Sequence, residues 1–164
     1  MFDNLKKKLG FKPSEVTITA PVSGQAVPLS EVNDPTFSEE ILGKGAAIIP
    51  SSGRVVSPVD GTLDLVFDTG HAASLRSDDG AEVLVHVGLD TVKLAGKHYT
   101  VHKKIGEKVK RGDLLIEFDL EAIRAEGYDP ITPVIICNTE AYSSVTAQTG
   151  TVAAGEDTVL TLKK

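Results

Sequence analysis

Arg54-Val55-Val56-Ser57-Pro58-Val59-Asp60-Gly61-Thr62-Leu63-Asp64-Leu65-Val66-Phe67 decides how the rest of the chain is read. Two short apolar stretches, Arg54–Val56 and 62–67, flank Pro58-Val59-Asp60-Gly61. Proline presets one dihedral of that turn and glycine permits a positive one. The stretches are too short for helices and rich in β-branched residues, so they read as strands. The same rhythm extends in both directions. Val16-Thr17-Ile18-Thr19-Ala20 alternates with period two before a turn at Pro21–Gly24, and Ala46–Ile49 lies between Gly45 and Pro50. Further strands are expected at 81–87, 113–118, 132–137, 144–148 and 158–162. Gly and Pro recur about every ten residues, the spacing of an all-β antiparallel sandwich or barrel with short helical segments. Helix is confined to Leu120–Ala125 and Ser38–Leu42. No linker, low-complexity tract or tandem repeat divides residues 15–164, which read as one domain.

Residues 1–14 differ. Within 1–12, four Lys against one Asp give +3, so the remainder of a chain of net charge −6 carries −9. Phe2, Leu5 and Leu9 share one helical face. The segment reads as a flexible basic tail, either simply solvated or an amphipathic element making weak contact with anionic lipid. The acidic body, with no aromatic-basic stripe, opposes nucleic-acid binding. No apolar run approaches the roughly 18 residues needed to span a bilayer, no signal-peptide pattern opens the chain, and a single cysteine precludes an intrachain disulfide. Together these point to the cytoplasm.

Several chemistries are excluded by what is missing. There is no Gly-x-Ser-x-Gly elbow, and Cys137 ends the apolar run Thr132–Cys137, where a buried structural thiol is expected. His98 and His102 lie among Lys97, Lys103 and Lys104 with no acid near them in sequence, so they read as surface histidines rather than metal ligands. Gly106-Glu107-Lys108-Val109-Lys110-Arg111-Gly112-Asp113 resembles a turn of swinging-arm carrier domains, but neither an Ala-Met-Lys-Met nor an Asp-Lys acceptor occurs. No cofactor or metal is expected.

What remains is histidine itself. His86 interrupts Val83-Leu84-Val85-His86-Val87-Gly88-Leu89, and His71 sits in the bend Phe67-Asp68-Thr69-Gly70-His71. Alternation puts Leu84 and His86 on one face and Val83, Val85 and Val87 on the other. If the valines face the core, His86 faces outward, with Gly88 leaving room beside the ring. A lone strand histidine is more often a satisfied core residue. A second histidine, with a hydroxyl at Thr69 to fix its tautomer, favours a nucleophile and its neighbour.

These residues resemble the glucose-class enzyme IIA of the bacterial phosphoenolpyruvate-dependent sugar phosphotransferase system, over about residues 16–163. The resemblance is carried in order by Ile18–Gly24, by Asp34-Pro35-Thr36-Phe37 through Ile48, and by Val56-Ser57-Pro58-Val59-Asp60-Gly61. It continues with Thr69-Gly70-His71-Ala72, Val83-Leu84-Val85-His86-Val87-Gly88-Leu89-Asp90-Thr91-Val92-Lys93-Leu94-Ala95-Gly96, 110–119 and Thr132-Pro133-Val134. It implies an antiparallel β-sandwich and a phosphotransferase in which Nε2 of His86 takes a phosphoryl group from HPr and passes it to a cysteine of a permease IIB domain. His71, held by Thr69, stabilises the transferred group, with backbone amides near Gly88 and Asp90 assisting. The resemblance also implies an apolar docking patch of Phe37, Ile41, Leu42, Phe67, Leu84 and Val92, edged by Asp34, Asp68 and Asp90. A regulatory role, binding permeases or metabolic enzymes according to phosphorylation state, is left open as the alternative. Ala73, Pro35-Thr36 and Cys137 depart from the family's usual residues, and none lies in the histidine pair.

Overall fold

The computed structural model describes residues 14–164. Among these residues, fourteen strands form three sheets in which every pairing is antiparallel. In chain order, β1 is Glu15–Thr19, β2 Gly24–Pro28, β3 Lys44–Pro50, β4 Arg54–Val56, β5 Gly61–Val66, β6 Ala72–Ser77 and β7 Glu82–His86. Then come β8 Tyr99–Val101, β9 Lys108–Val109, β10 Leu114–Phe118, β11 Thr132–Ile136, β12 Ser144–Ala147, β13 Gly150–Val152 and β14 Thr158–Lys163. The large sheet runs β13-β2-β3-β11-β7-β6-β5-β9, and the two smaller ones are β1-β14-β12 and β4-β10-β8.

The turn at Pro58–Gly61 lies where the sequence put it, but it does not make a hairpin. It carries the chain from β4, in a small sheet, to β5, in the large one. Ser57 Oγ closes it by donating to the Val59 carbonyl at 2.6 Å. Gly61 is there because any Cβ would stand 2.0 Å from the Arg76 carbonyl oxygen.

The large sheet is apolar on both faces at its centre. Ala46, Ile48, Val83, Val85, Val134 and Ile136 face the main core, together with Val16, Ile18, Leu160 and Leu162 of the small sheet. The alternate residues Ala47 and Ile135 face a second core with Leu29, Val32, Phe37, Leu89 and Ile131, against which Val27 and Leu84 also pack. Strands covered on both faces lose their polar alternation, which is why β11 is buried at every position. The second core is roofed by the 3-10 turn Leu29–Glu31 and by α1, Pro35–Ser38. At its β7 side the second core reaches Leu84, and Phe37 of α1 meets the ring of His86 with centroids 5.2 Å apart.

Two expectations shift. The helix foreseen at Ser38–Leu42 is instead Pro35–Ser38. Asp34 Oδ1 caps it by accepting from the Thr36 amide at 3.0 Å, Pro35 fits the first turn, and Glu40, at φ 58°, turns the chain away;. The strands β2, β6, β8, β9 and β13 were not foreseen. Gly-Gln-Ala-Val-Pro and Ala-Ala-Ser-Leu-Arg-Ser have little intrinsic strand preference and become strands through pairing with their neighbours;. The helix at Leu120–Ala125, α2, is as foreseen, capped by Asp119. The tail read from residues 1–14 lies, Ser14 apart, outside the described residues.

Candidate functional site

His86 is the last residue of β7, and His71 immediately precedes β6. The register pairs Ala72 with His86, so the two imidazoles meet where the strands part. Their ring centroids are 5.3 Å apart at 72°. The contact is therefore edge-to-face. Val83, Val85 and Val87 are buried, so His86 does look out from the opposite face, as alternation required.

Each ring is held by a neutral partner. His86 Nδ1 lies 2.7 Å from the Gly88 carbonyl oxygen. A carbonyl can only accept, so Nδ1 carries the proton and the lone pair of the neutral ring is on Nε2. Gly88 has φ 91°, and a Cβ there would stand 2.5 Å from Thr91 Cγ2. His71 is buried, its Nδ1 2.6 Å from Thr69 Oγ1, and the Phe67 ring stacks on it with centroids 4.9 Å apart. The Phe37 ring lies 5.2 Å from that of His86.

Burial lowers the pKa of both rings, and the neighbouring His86 lowers that of His71 further. For His86 the Gly88 hydrogen bond, Asp34 and Asp90 oppose the burial without overcoming it. Both imidazoles are thus neutral near pH 7, the form in which histidine is a nucleophile.

Of the residues expected to form a docking patch, Ile41, Leu42, Phe67 and Val92 are exposed and Leu84 is half-buried. Phe37 is a correction: only 4% exposed, it belongs to the second core and touches the site from beneath through His86. Asp68 and Asp90 are exposed and Asp34 is half-buried as the cap of α1. The Gly88 amide is committed to the Ile131 carbonyl at 3.2 Å and is not presented to the site.

Cys137 is exposed, not buried: β11 ends at Ile136, and Cys137 follows it with its amide still donating to the Glu82 carbonyl of β7 at 2.8 Å. His98 and His102 do have acidic neighbours, brought from elsewhere in the chain: Glu126 contacts His98, and Glu117 lies 2.8 Å from His102. Among the described residues no group of three or more His, Cys, Asp or Glu side chains is gathered to hold a metal ion. Sequence reasoning missed Tyr99, whose hydroxyl donates to the Val87 carbonyl at 2.8 Å. Nothing in its local pattern signals that contact.

The geometry can be set beside known proteins. Residues 16–142 match the model of a family described as phosphoenolpyruvate-dependent sugar phosphotransferase system, EIIA 1. The PTS system glucose-specific EIIA component of Oceanobacillus iheyensis is 44% identical over 161 residues, 98% of either chain. A PTS system beta-glucoside-specific EIIBCA component of Bacillus subtilis is 54% identical over 130 residues, 79% of this chain and 21% of that protein. Among solved structures, glucose permease IIA from Mycoplasma capricolum superposes with a TM-score of 0.84 at 32% identity, covering 92% of this chain and 97% of that one.

Proposed function

We propose that this chain, which belongs to the EIIA 1 family of the phosphoenolpyruvate-dependent sugar phosphotransferase system, carries its phosphoryl group on Nε2 of His86. Members of that family are phosphotransferase relay proteins, so the chain is a phosphoryl carrier in sugar uptake. The proposal concerns the atoms that do it.

The observation that carries it is the hydrogen bond from His86 Nδ1 to the Gly88 carbonyl, which directs the nucleophilic lone pair to Nε2. Nε2 attacks the phosphorus held on a histidine of HPr. The new N–P bond forms as the donor's N–P bond breaks, and the donor imidazole leaves with the electron pair. His86 keeps its Nδ1 proton throughout. The positive charge growing on its ring is met by the Gly88 carbonyl and by the carboxylates of Asp34 and Asp90. In the second half-reaction a cysteine thiolate of a permease IIB domain attacks the same phosphorus and His86 returns to its neutral form.

Catalysis of such a transfer is mostly positioning and charge stabilisation. With His71 Nδ1 accepting from the Thr69 hydroxyl, the Nε2–H of His71 is free to donate to a phosphoryl oxygen. The exposed Ile41, Leu42, Phe67 and Val92 exclude water when a partner docks, and Asp68 and Asp90 meet basic groups on that partner. The protein acts in the cytoplasm as one domain over residues 15–164. The same surface, altered by the roughly −2 charge of a phosphate, would serve binding to regulatory targets.

Incubation with phosphoenolpyruvate, Enzyme I and HPr is expected to add one acid-labile phosphate, read by intact-mass spectrometry. His86→Ala should abolish it; a variant that is still labelled to the same extent would move the carrier to another residue.

A further inference from the structure

The backbone of Val87 is fixed from three directions. Its N–H donates to the His71 carbonyl at 2.6 Å. Its carbonyl accepts from Thr91 Oγ1 at 2.7 Å and from the Tyr99 hydroxyl at 2.8 Å. Val87 lies between His86 and Gly88, whose carbonyl orients the His86 ring. One residue therefore joins the main chain of His71 to that of Gly88, the neighbour whose carbonyl sets the lone pair of His86.

Tyr99 enters this arrangement from β8, in a different sheet. It also fills the space at Gly70, where an added Cβ would stand 2.7 Å from Tyr99 Cβ. It thus touches the bend that presents His71 and the carbonyl that follows His86. Thr91 is fully buried, so its hydroxyl has no competing water. A carbonyl accepting two side-chain hydroxyls at ordinary distances uses both its lone pairs and cannot tilt without losing one bond.

We propose that Tyr99 and Thr91 are positioning residues for phosphoryl transfer: by clamping the Val87 carbonyl they set the angle at which the two imidazoles meet. Neither touches the phosphoryl group. The proposal rests on the reading that His86 is the carrier and His71 its neighbour, and adds what holds them in place. Sub-ångström misplacement of reacting groups is enough to slow transfer measurably, so the effect falls on turnover rather than on docking.

Tyr99→Phe removes the hydroxyl and keeps the ring against Gly70. It should lower kcat for transfer from phosphorylated HPr on the order of tenfold and leave KM unchanged. It should also move the imidazole nitrogen resonances of His71 and His86 in nitrogen-resolved NMR of the unphosphorylated protein. Thr91→Val should behave alike and Thr91→Ser should recover most of the rate, all measured well below each variant's thermal midpoint. Wild-type kcat and unmoved imidazole resonances in Tyr99→Phe would overturn the proposal, as would a loss confined to thermal stability. The NMR comparison needs no phosphate, so it decides this proposal even if His86→Ala were still labelled and the carrier reading failed.

Discussion

His71 and His86 stand among apolar side chains with their Nδ1 atoms against a hydroxyl and a carbonyl, whereas His98 and His102 lean on the carboxylates of Glu126 and Glu117. The residue type is the same and the chemistry differs. A neutral partner fixes the tautomer of an imidazole and leaves its other nitrogen available, while burial keeps the ring uncharged;. A carboxylate on Nε2 instead occupies the nitrogen that would have to act. On the proposed reading, Nε2 of His86 serves a partner in the first pair, whereas in the second the fold takes Nε2 for itself. The contrast teaches that a reactive histidine is recognised by what its second nitrogen is denied, not by exposure alone.

The comparison breaks most sharply at His71. If it stabilises the transferring group, His71→Ala should reduce transfer by about 10²–10³-fold, the usual loss for one such donor, with the thermal midpoint as a control for folding. A variant at full speed would reduce His71 to a packing residue and leave His86 alone at the site. Removing the hydroxyl that orients it is a smaller change. Thr69→Val should cost about fivefold in transfer and shift the His71 ring resonances, because one hydrogen bond near 1 kcal/mol is lost while the ring stays stacked on Phe67.

Much of this contrast was legible in the sequence and the remainder could not have been. His86 facing outward follows from the alternation of Val83, Val85 and Val87, and Thr69 beside His71 is a local pattern two residues long. The strand rhythm, set by Val and by Gly or Pro at the turns, located β1, β3, β4, β5, β7, β10, β11, β12 and β14. What escaped depends on distant pairing. Ala72–Ser77 is a strand because β5 and β7 flank it, and Phe37 is buried because α1 lies over the second core. Cys137 read as buried only because the apolar run before it was extended by one residue. Glu126 reaches His98 from 28 positions away and Tyr99 reaches Val87 from 12, separations at which no periodicity operates.

The pair His71 and His86 should also make stability sensitive to acid. His71 and His86 have native pKa values below the ordinary histidine value of 6.5, so in acid the unfolded chain binds protons that the native state refuses. Their contribution to stability is complete above pH 6.5 and is lost as the pH falls through the lowered native values. Urea melts from pH 7.5 down to 5 should therefore show a declining midpoint, and the decline should lessen in a His71→Gln/His86→Gln double variant. An equal decline in that variant would assign the acid sensitivity to other groups. With His86 as the proposed carrier, phosphoryl acceptance should fall in the same direction, since protonation removes the lone pair of its ring.

The smallest effect is expected in the other pair, and its smallness is the point. His102 Nε2 sits 2.8 Å from Glu117 Oε1, with about a third of one side chain and half of the other open to solvent. Exposed pairs of this kind contribute at most about 1 kcal/mol. His102→Gln preserves an N–H donor that can reach the same carboxylate, so the loss in stability should be about 0.5 kcal/mol or less. Transfer should be unchanged, because His102 contributes nothing to the ring contacts or hydrogen bonds around His71 and His86. Chemical denaturation and the HPr transfer assay check both. A fall in transfer without a fall in stability would mean that the β8 segment communicates with the site through its chain and not only through Tyr99. The division between a reactive pair and a structural pair would then have to be redrawn around that strand.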